Sequence, residues 1–160
     1  MAALSHDVQR PVRLPTGGLA TAELKLAGYT NRGDGNEAFS VYKGAVMMCD
    51  VTDTDGYFGP KDVNAANGDI FGGIAAEHQE VTSGDAADGA KKVTVYRNGV
   101  WGFAKGSLAI TDIGATAYAS TDNDVTTTNT NALQIGTIED VDATYVWVNI
   151  APAFMTVRAV

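Results

Sequence analysis

An Asn-Gly pair set between two β-forming runs constrains the fold of this chain more than any other feature. In Lys91-Lys92-Val93-Thr94-Val95-Tyr96-Arg97-Asn98-Gly99-Val100-Trp101-Gly102-Phe103-Ala104-Lys105 the β-branched and aromatic residues recur on both sides of the pair, which is the strongest short-range signal for a β-hairpin. A two-residue type I′ loop needs positive φ at both positions; Gly99 takes it without strain and Asn98 tolerates it better than most residues. The pattern predicts a tight turn at Asn98 and Gly99. Val93 and Val95 then share one face, Thr94 and Tyr96 the other, and Trp101 pairs with Phe103 on the outgoing strand. An isolated hairpin is marginal in water, so further strands must flank it.

The rest of the chain supplies them. Turn residues at Asn31-Arg32-Gly33-Asp34-Gly35-Asn36 precede a strand pair over 38–50, broken at Lys43-Gly44. Residues 50–69 are loop-like, with Tyr57, Phe58 and Pro60 as packing anchors. A strand resumes over 70–81, where Gly72-Gly73 marks a bulge or a close backbone approach. Residues 84–89 form a polar turn. Beyond the hairpin, 106–110 and 115–120 read as short strands, and 122–131 as a surface loop or exposed ribbon. The closing strands are 132–139, with Leu133, Ile135 and Thr137 on one face, and 143–150, with Tyr145, Trp147 and Asn149 opposite Val146, Val148 and Ile150; Pro152 ends that run. Many short strands without a 12-residue amphipathic helix predict an all-β fold, a small β-sandwich or a partly open β-barrel.

Residues 1–36 differ in composition from the β-rich domain expected over 37–160. Five of the seven leucines and two of the four prolines fall in the first 26 residues, and the first 30 are slightly basic, with Arg10, Arg13 and Lys25 against Asp7 and Glu23. Pro11 and Pro15 favour extended backbone, and Gly17-Gly18 interrupts any regular element. The alternatives are a disordered terminus and an extended N-terminal arm whose apolar residues dock on a partner; the arm is the expectation, since solvated tails are poor in such residues.

At 160 residues, with 45% hydrophobic and 19% charged residues, the chain is long enough for a single domain with a substantial core. A net charge of −8 with only 11 Lys and Arg argues against nucleic acid, which requires clustered cations. No apolar run approaches the roughly 20 residues of a membrane span, and the N-terminus lacks the basic-then-apolar pattern of a secretory signal. The lone Cys49 rules out an intrachain disulfide and reads as core packing, because nothing basic adjoins it.

Chemistry-bearing patterns are sparse. His6 and His78 have no second His or Cys at ligand spacing. Asp53-Thr54-Asp55-Gly56 has the middle of a calcium loop, but the first ligand position is Val51 and the twelfth Asp62, so a plain turn accounts for it. Arg32-Gly33-Asp34 is a short match of the kind that arises by chance in such loops. No phosphate loop or nucleophile elbow is present. The expectation is no enzyme: no catalytic residue, no cofactor and no metal. A trimeric dUTP-hydrolysing β-protein would match Ala27-Gly28-Tyr29, but the carboxylate expected next is Thr30, and its other motifs are missing.

Read in order, Ile70-Phe71-Gly72-Gly73-Ile74-Ala75, Val93-Thr94-Val95-Tyr96-Arg97-Asn98-Gly99-Val100-Trp101, Gly114-Ala115-Thr116-Ala117-Tyr118, Ile135-Gly136-Thr137-Ile138 and Tyr145-Val146-Trp147-Val148 resemble the capsid decoration (cement) proteins of tailed bacteriophages over about residues 40–150. The resemblance implies a virion protein on the outer capsid surface, made in the bacterial host cytoplasm. It further implies a homotrimer that clamps neighbouring major capsid protein subunits at three-fold and quasi-three-fold positions. The arm lies outside that match; its apolar and basic composition makes Leu4, Val8, Arg10, Val12, Arg13 and Leu14 the expected capsid contacts. Shorter members begin near the first strand here, so the arm is the departure. The alternative is a carbohydrate-binding or adhesin-like sandwich, which would need Tyr57, Phe58, Trp101 and Trp147 exposed.

Overall fold

Frequent turns cut this chain into short strands, and burial sorts the strands into three layers. The computed structural model describes residues 3–30, 36–51, 56–61, 65 and 69–150. An antiparallel six-stranded sheet runs in the order β1 (Val12–Arg13), β9 (Val100–Ala104), β13 (Tyr145–Asn149), β12 (Leu133–Val141), β10 (Thr116–Ala119) and β11 (Val125–Thr126). A five-stranded sheet runs β2 (Thr21–Lys25), β8 (Lys92–Tyr96), β6 (Ile70–Ala75), β4 (Val46–Cys49) and β5 (Phe58–Pro60), and β3 (Phe39–Val41) pairs with β7 (Gln79–Val81). The fold is all-β and its sheets do not close into a barrel, as a small β-sandwich requires.

The five-stranded sheet is the middle layer. Val46, Met48, Phe71 and Ile74 on one face pack with Trp101, Phe103, Ile135, Val146 and Val148 of the six-stranded sheet. Met47, Cys49, Ala75, Val93 and Val95 on the other face pack with Phe39, Val41 and Val81 of the small sheet. Every residue of β4 is therefore buried, and its apolar run needs no polar alternation. Each large side chain so buried contributes roughly 1.5–3 kcal/mol before conformational entropy is charged against it.

The Asn98-Gly99 turn is not a hairpin. β8 pairs with β2 and β6, β9 pairs with β1 and β13, and the two never pair with each other. The chain instead turns a corner from the middle sheet into the outer one. Gly99 has φ +103°, but Asn98 is absent from the described residues with positive φ, so no type I′ turn forms. The Asn98 side chain is engaged elsewhere: its Oδ1 accepts from the Ala20 N–H at 2.7 Å and its Nδ2 donates to the Gly18 carbonyl at 3.2 Å. The faces fall as expected, with Val93, Val95, Trp101 and Phe103 all buried. Pairing partners decided the outcome, because β2 covers β8 along its full five-residue length.

Other expectations divide in the same way. The strands over 38–50 exist, yet β3 pairs with β7 and β4 with β5 and β6 rather than with each other. Gly72 lies where the β4–β6 register shifts, so the bulge is real. Residues 106–110 are a turn leading into a 3-10 helix, Ile110–Asp112, in place of a strand; the Asp112 carboxylate accepts from the Ala109 N–H at 2.8 Å. A register shift opposite Gln134 and Gly136 turns Thr137 outward, so it does not share the face of buried Leu133 and Ile135.

The 1–36 arm is not a separate unit. Residues 21–25 form β2, a full member of the middle sheet with Leu24 inward and Glu23 and Lys25 outward. Residues 3–14 lie as an extended strap over the body. Arg32-Gly33-Asp34, Asp53-Thr54-Asp55 and Pro152 lie outside the described residues.

Candidate interaction surface

The outer face of the six-stranded sheet owes its shape to one missing side chain. Pro11 precedes β1, whose Val12 pairs with Trp101; Gly102 pairs with Trp147, and Trp147 with Asp140. Pro11, Gly102, Trp147 and Asp140 form one row across four neighbouring chain segments on the outer face, while Val12 and Trp101 turn to the core. A Cβ on Gly102 would stand 2.6 Å from Pro11 Cγ and 3.4 Å from Tyr145 Cδ1, so only glycine lets the proline ring and the Tyr145 ring settle there. The Gly102 N–H donates to the Pro11 carbonyl at 2.9 Å, which fixes the strap in the same place.

Around that row the polar groups lock one another. The Arg13 guanidinium lies 4.1 Å from the centroid of the Trp147 ring and donates to Asp140 Oδ2 at 2.8 Å. The Trp147 indole N–H donates to Asp142 Oδ2 at 2.8 Å, and the Tyr145 and Trp147 rings meet edge to face at 5.8 Å. Asp142 Oδ1 also accepts the Thr144 and Tyr145 N–H groups, both at 2.7 Å. Those bonds, the indole first, hold the Asp142 carboxyl down at about 2. An exposed ion pair such as Arg13 with Asp140 adds little stability. Its effect is to hold a Trp, an Arg and a Tyr, the residue types that dominate binding hot spots, in fixed rotamers before any partner arrives.

The expected contact residues separate into two groups. Arg13 and Leu14 are exposed beside this patch, Leu14 at 69%. Arg10 is a correction: it is 4% exposed and cannot reach a partner from its present seat. Its Nε donates to the Gly44 carbonyl at 2.6 Å, its NH2 group to the Asp122 carbonyl at 3.3 Å and Asn123 Oδ1 at 3.0 Å, and its guanidinium sits 4.2 Å from the Phe103 ring centroid. Burial lowers its pKa to about 10 against the pull of Asp122 and Asp124. Val8 and Leu4 are also tied down, Val8 N–H to the Lys43 carbonyl at 2.8 Å and Leu4 N–H to Asp122 Oδ1 at 2.8 Å. Val12 packs against the main core. Pro11, Asp140, Asp142, Tyr145 and Trp147 were not among the expected contacts. The strand alternation that sends Val146, Val148 and Ile150 inward is the signal that turns Tyr145 and Trp147 outward.

The remaining chemistry is modest. His78 packs on Tyr42 at a 53° tilt with ring centroids 4.9 Å apart, and its nitrogens lie 3.6 Å from Asp7 and 3.7 Å from Glu80. Cys49 is buried in the second core. Lys61 is buried, which lowers its pKa against Asp69 and Asp122, and its Nζ donates to the Ser120 carbonyl at 3.1 Å. Among the described residues no three His, Cys, Asp or Glu side chains gather as a metal site, and no helix is long and apolar enough to cross a membrane. Of the four aromatics named above, Phe58 and Trp101 are buried while Tyr57 and Trp147 are half-buried. No protein-family model, curated protein or solved structure matches the chain.

Proposed function

We propose that this chain is a structural protein of a tailed-bacteriophage virion. It sits on the outer capsid surface and stabilises the shell by binding neighbouring major capsid subunits, as a homotrimer at three-fold and quasi-three-fold positions. The observation that carries this reading is the Arg13, Leu14, Tyr145 and Trp147 patch, pre-set by its own hydrogen bonds on a rigid sheet face. A pre-organised hot-spot cluster on a sandwich suits a protein whose task is adhesion. The ordered motifs that resemble decoration proteins are the central strands β6, β8, β9, β10, β12 and β13, so the likeness falls on the scaffold that presents the patch. A glycan-binding role would want the Trp147 ring face open for a sugar, and Arg13 covers it.

The test is co-sedimentation of the purified protein with shells of the phage that encodes it, before and after expansion. Expanded shells should carry the protein at saturating, stoichiometric occupancy. Trp147→Ala should weaken binding by more than about tenfold, the effect of removing one hot-spot side chain. A protein that stays in the supernatant with both kinds of shell would overturn the proposal.

A further inference from the structure

The strap, residues 3–14, is held by groups that all lie far from it in sequence. Leu4 bonds to Asp122, Val8 to Lys43, and Arg10 to Gly44, Asp122 and Asn123. Val12 and Arg13 pair with Trp101 and Val100. Charge is complementary, since Arg10 enters a socket beside Asp122 and Asp124 and Arg13 meets Asp140. Nothing in this set depends on which copy of the chain supplies the strap.

The link from the strap to β2 is different in kind. Leu14 is 69% exposed, and the turn after it is closed by one Gly18 N–H to Pro15 carbonyl bond at 3.0 Å. Gly17 and Gly18 sit at φ +92° and +84°, and a Cβ on either would meet nothing within 4 Å. Residues 16–18 therefore turn in solvent, with two consecutive residues in a backbone region that an extended chain would leave, before Leu19 packs on the core and Asn98 takes the Gly18 carbonyl and the Ala20 N–H. Extended, the six residues 15–20 reach roughly 20 Å, enough to pass to an adjoining molecule.

We propose that the strap exchanges between copies: residues 3–14 of one chain seat in the Arg10 socket and against β9 of a second copy, with the link opening at Gly17-Gly18. The same bonds form in the closed and exchanged arrangements, so strain in the link and the local concentration of copies decide between them. The inference stands without the decoration reading, because any setting that crowds copies favours exchange.

Two experiments on the full chain test it. Arg13→Cys and Val100→Cys, Cα partners across β1 and β9, are co-expressed as separate single variants and oxidised; the native Cys49 is buried. A covalent dimer joined through positions 13 and 100, identified by peptide mapping, is the expected product. The double variant in one chain, which should close on itself or link into multimers, controls for geometry. Independently, deleting Gly17 and Gly18 should shorten the link beyond closure and raise the dimer fraction in light scattering several-fold. Single variants that yield no 13-to-100 linkage while the double variant closes within one chain would overturn exchange. So would a deletion variant that remains a folded monomer at all concentrations.

Discussion

Asp142-Ala143-Thr144 and Arg97-Asn98-Gly99 both place an Asx residue where one strand gives way to the next, but they are built from different material. At the first, the chain returns along its own sheet: Asp142 N–H donates to the Tyr145 carbonyl at 2.9 Å, and the Asp142 carboxylate accepts from Thr144 and Tyr145. These three bonds all lie within four residues. At the second, one local bond, the Trp101 indole N–H to the Asn98 carbonyl at 2.9 Å, is joined by distant partners: Gly18, Ala20 and Ile150, whose N–H donates to the Gly99 carbonyl at 3.1 Å. A turn that returns can be encoded locally. A corner between sheets is held by segments that arrive from elsewhere, so its strength belongs to the whole fold.

The sharpest way to break this comparison is Gly99→Val. A β-branched residue is strained at φ +103°, and its Cβ would also stand 3.0 Å from Leu19 Cδ2. The expected cost is about 3 kcal/mol, or roughly 6–12 °C in Tm for a domain of this size. An unchanged melting temperature would show that the corner is as self-sufficient as the turn. Next comes Arg10→Ala, which strands the Gly44 carbonyl and removes the guanidinium from the Phe103 ring, and should cost about 2 kcal/mol. Amide exchange should then quicken at the Asn98 corner and stay unchanged at Asp142. Gly102→Ala should cost about 1–2 kcal/mol by overpacking against Pro11, and it should lift the strap without disturbing the β12–β13 return, as cross-peaks of Val12 and Val146 would report.

The smallest effect is expected at the local turn. Asp142 is fully exposed, and its pKa is held at about 2, below the usual aspartate value of about 3.9. A depressed folded-state pKa contributes stability that is complete above the unfolded value and is lost as pH falls through the folded one. Trp147 emission should therefore change between about pH 4 and pH 2 and be flat there in Asp142→Asn. A wild-type profile identical to that of the variant would remove Asp142 from the indole contact.

These differences also mark what could be read from the sequence. Strand positions at β6, β8, β9, β10, β12 and β13 were legible because period-2 alternation of β-branched and aromatic residues is a local property. Pairing was not, because the choice between β2 and β9 as the neighbour of β8 depends on Ala22 and Leu24, some 70 positions upstream. The turn at 106–110 hid behind the alternation of Ser107-Leu108-Ala109-Ile110, which a single carboxylate, Asp112, redirects. At the candidate surface, Arg13 and Leu14 were legible as polar or unpartnered arm residues. Arg10 was not, since an arginine reads as solvated unless its socket is known, and that socket comes from residues 44, 103, 122 and 123. The exposure of Trp147 was not legible, because alternation alone does not say which face of an outermost sheet is wet.

The neighbours β1, β9 and β13 carry a mechanical consequence. β1 and β13 are each antiparallel to β9 and so run parallel to each other on its two sides. The chain enters at the start of β1 and leaves the sheet at the end of β13. Tension between those points drags the two strands lengthwise in opposite directions past β9, so the hydrogen bonds across it are sheared together instead of being peeled one at a time. Pulling β12 and β13 apart at their open end, between Thr137 and Asn149, would instead unzip them bond by bond toward the Asp142 turn, at far lower force. Resistance to rupture in this molecule is therefore set by the direction of the pull and by where its anchors lie.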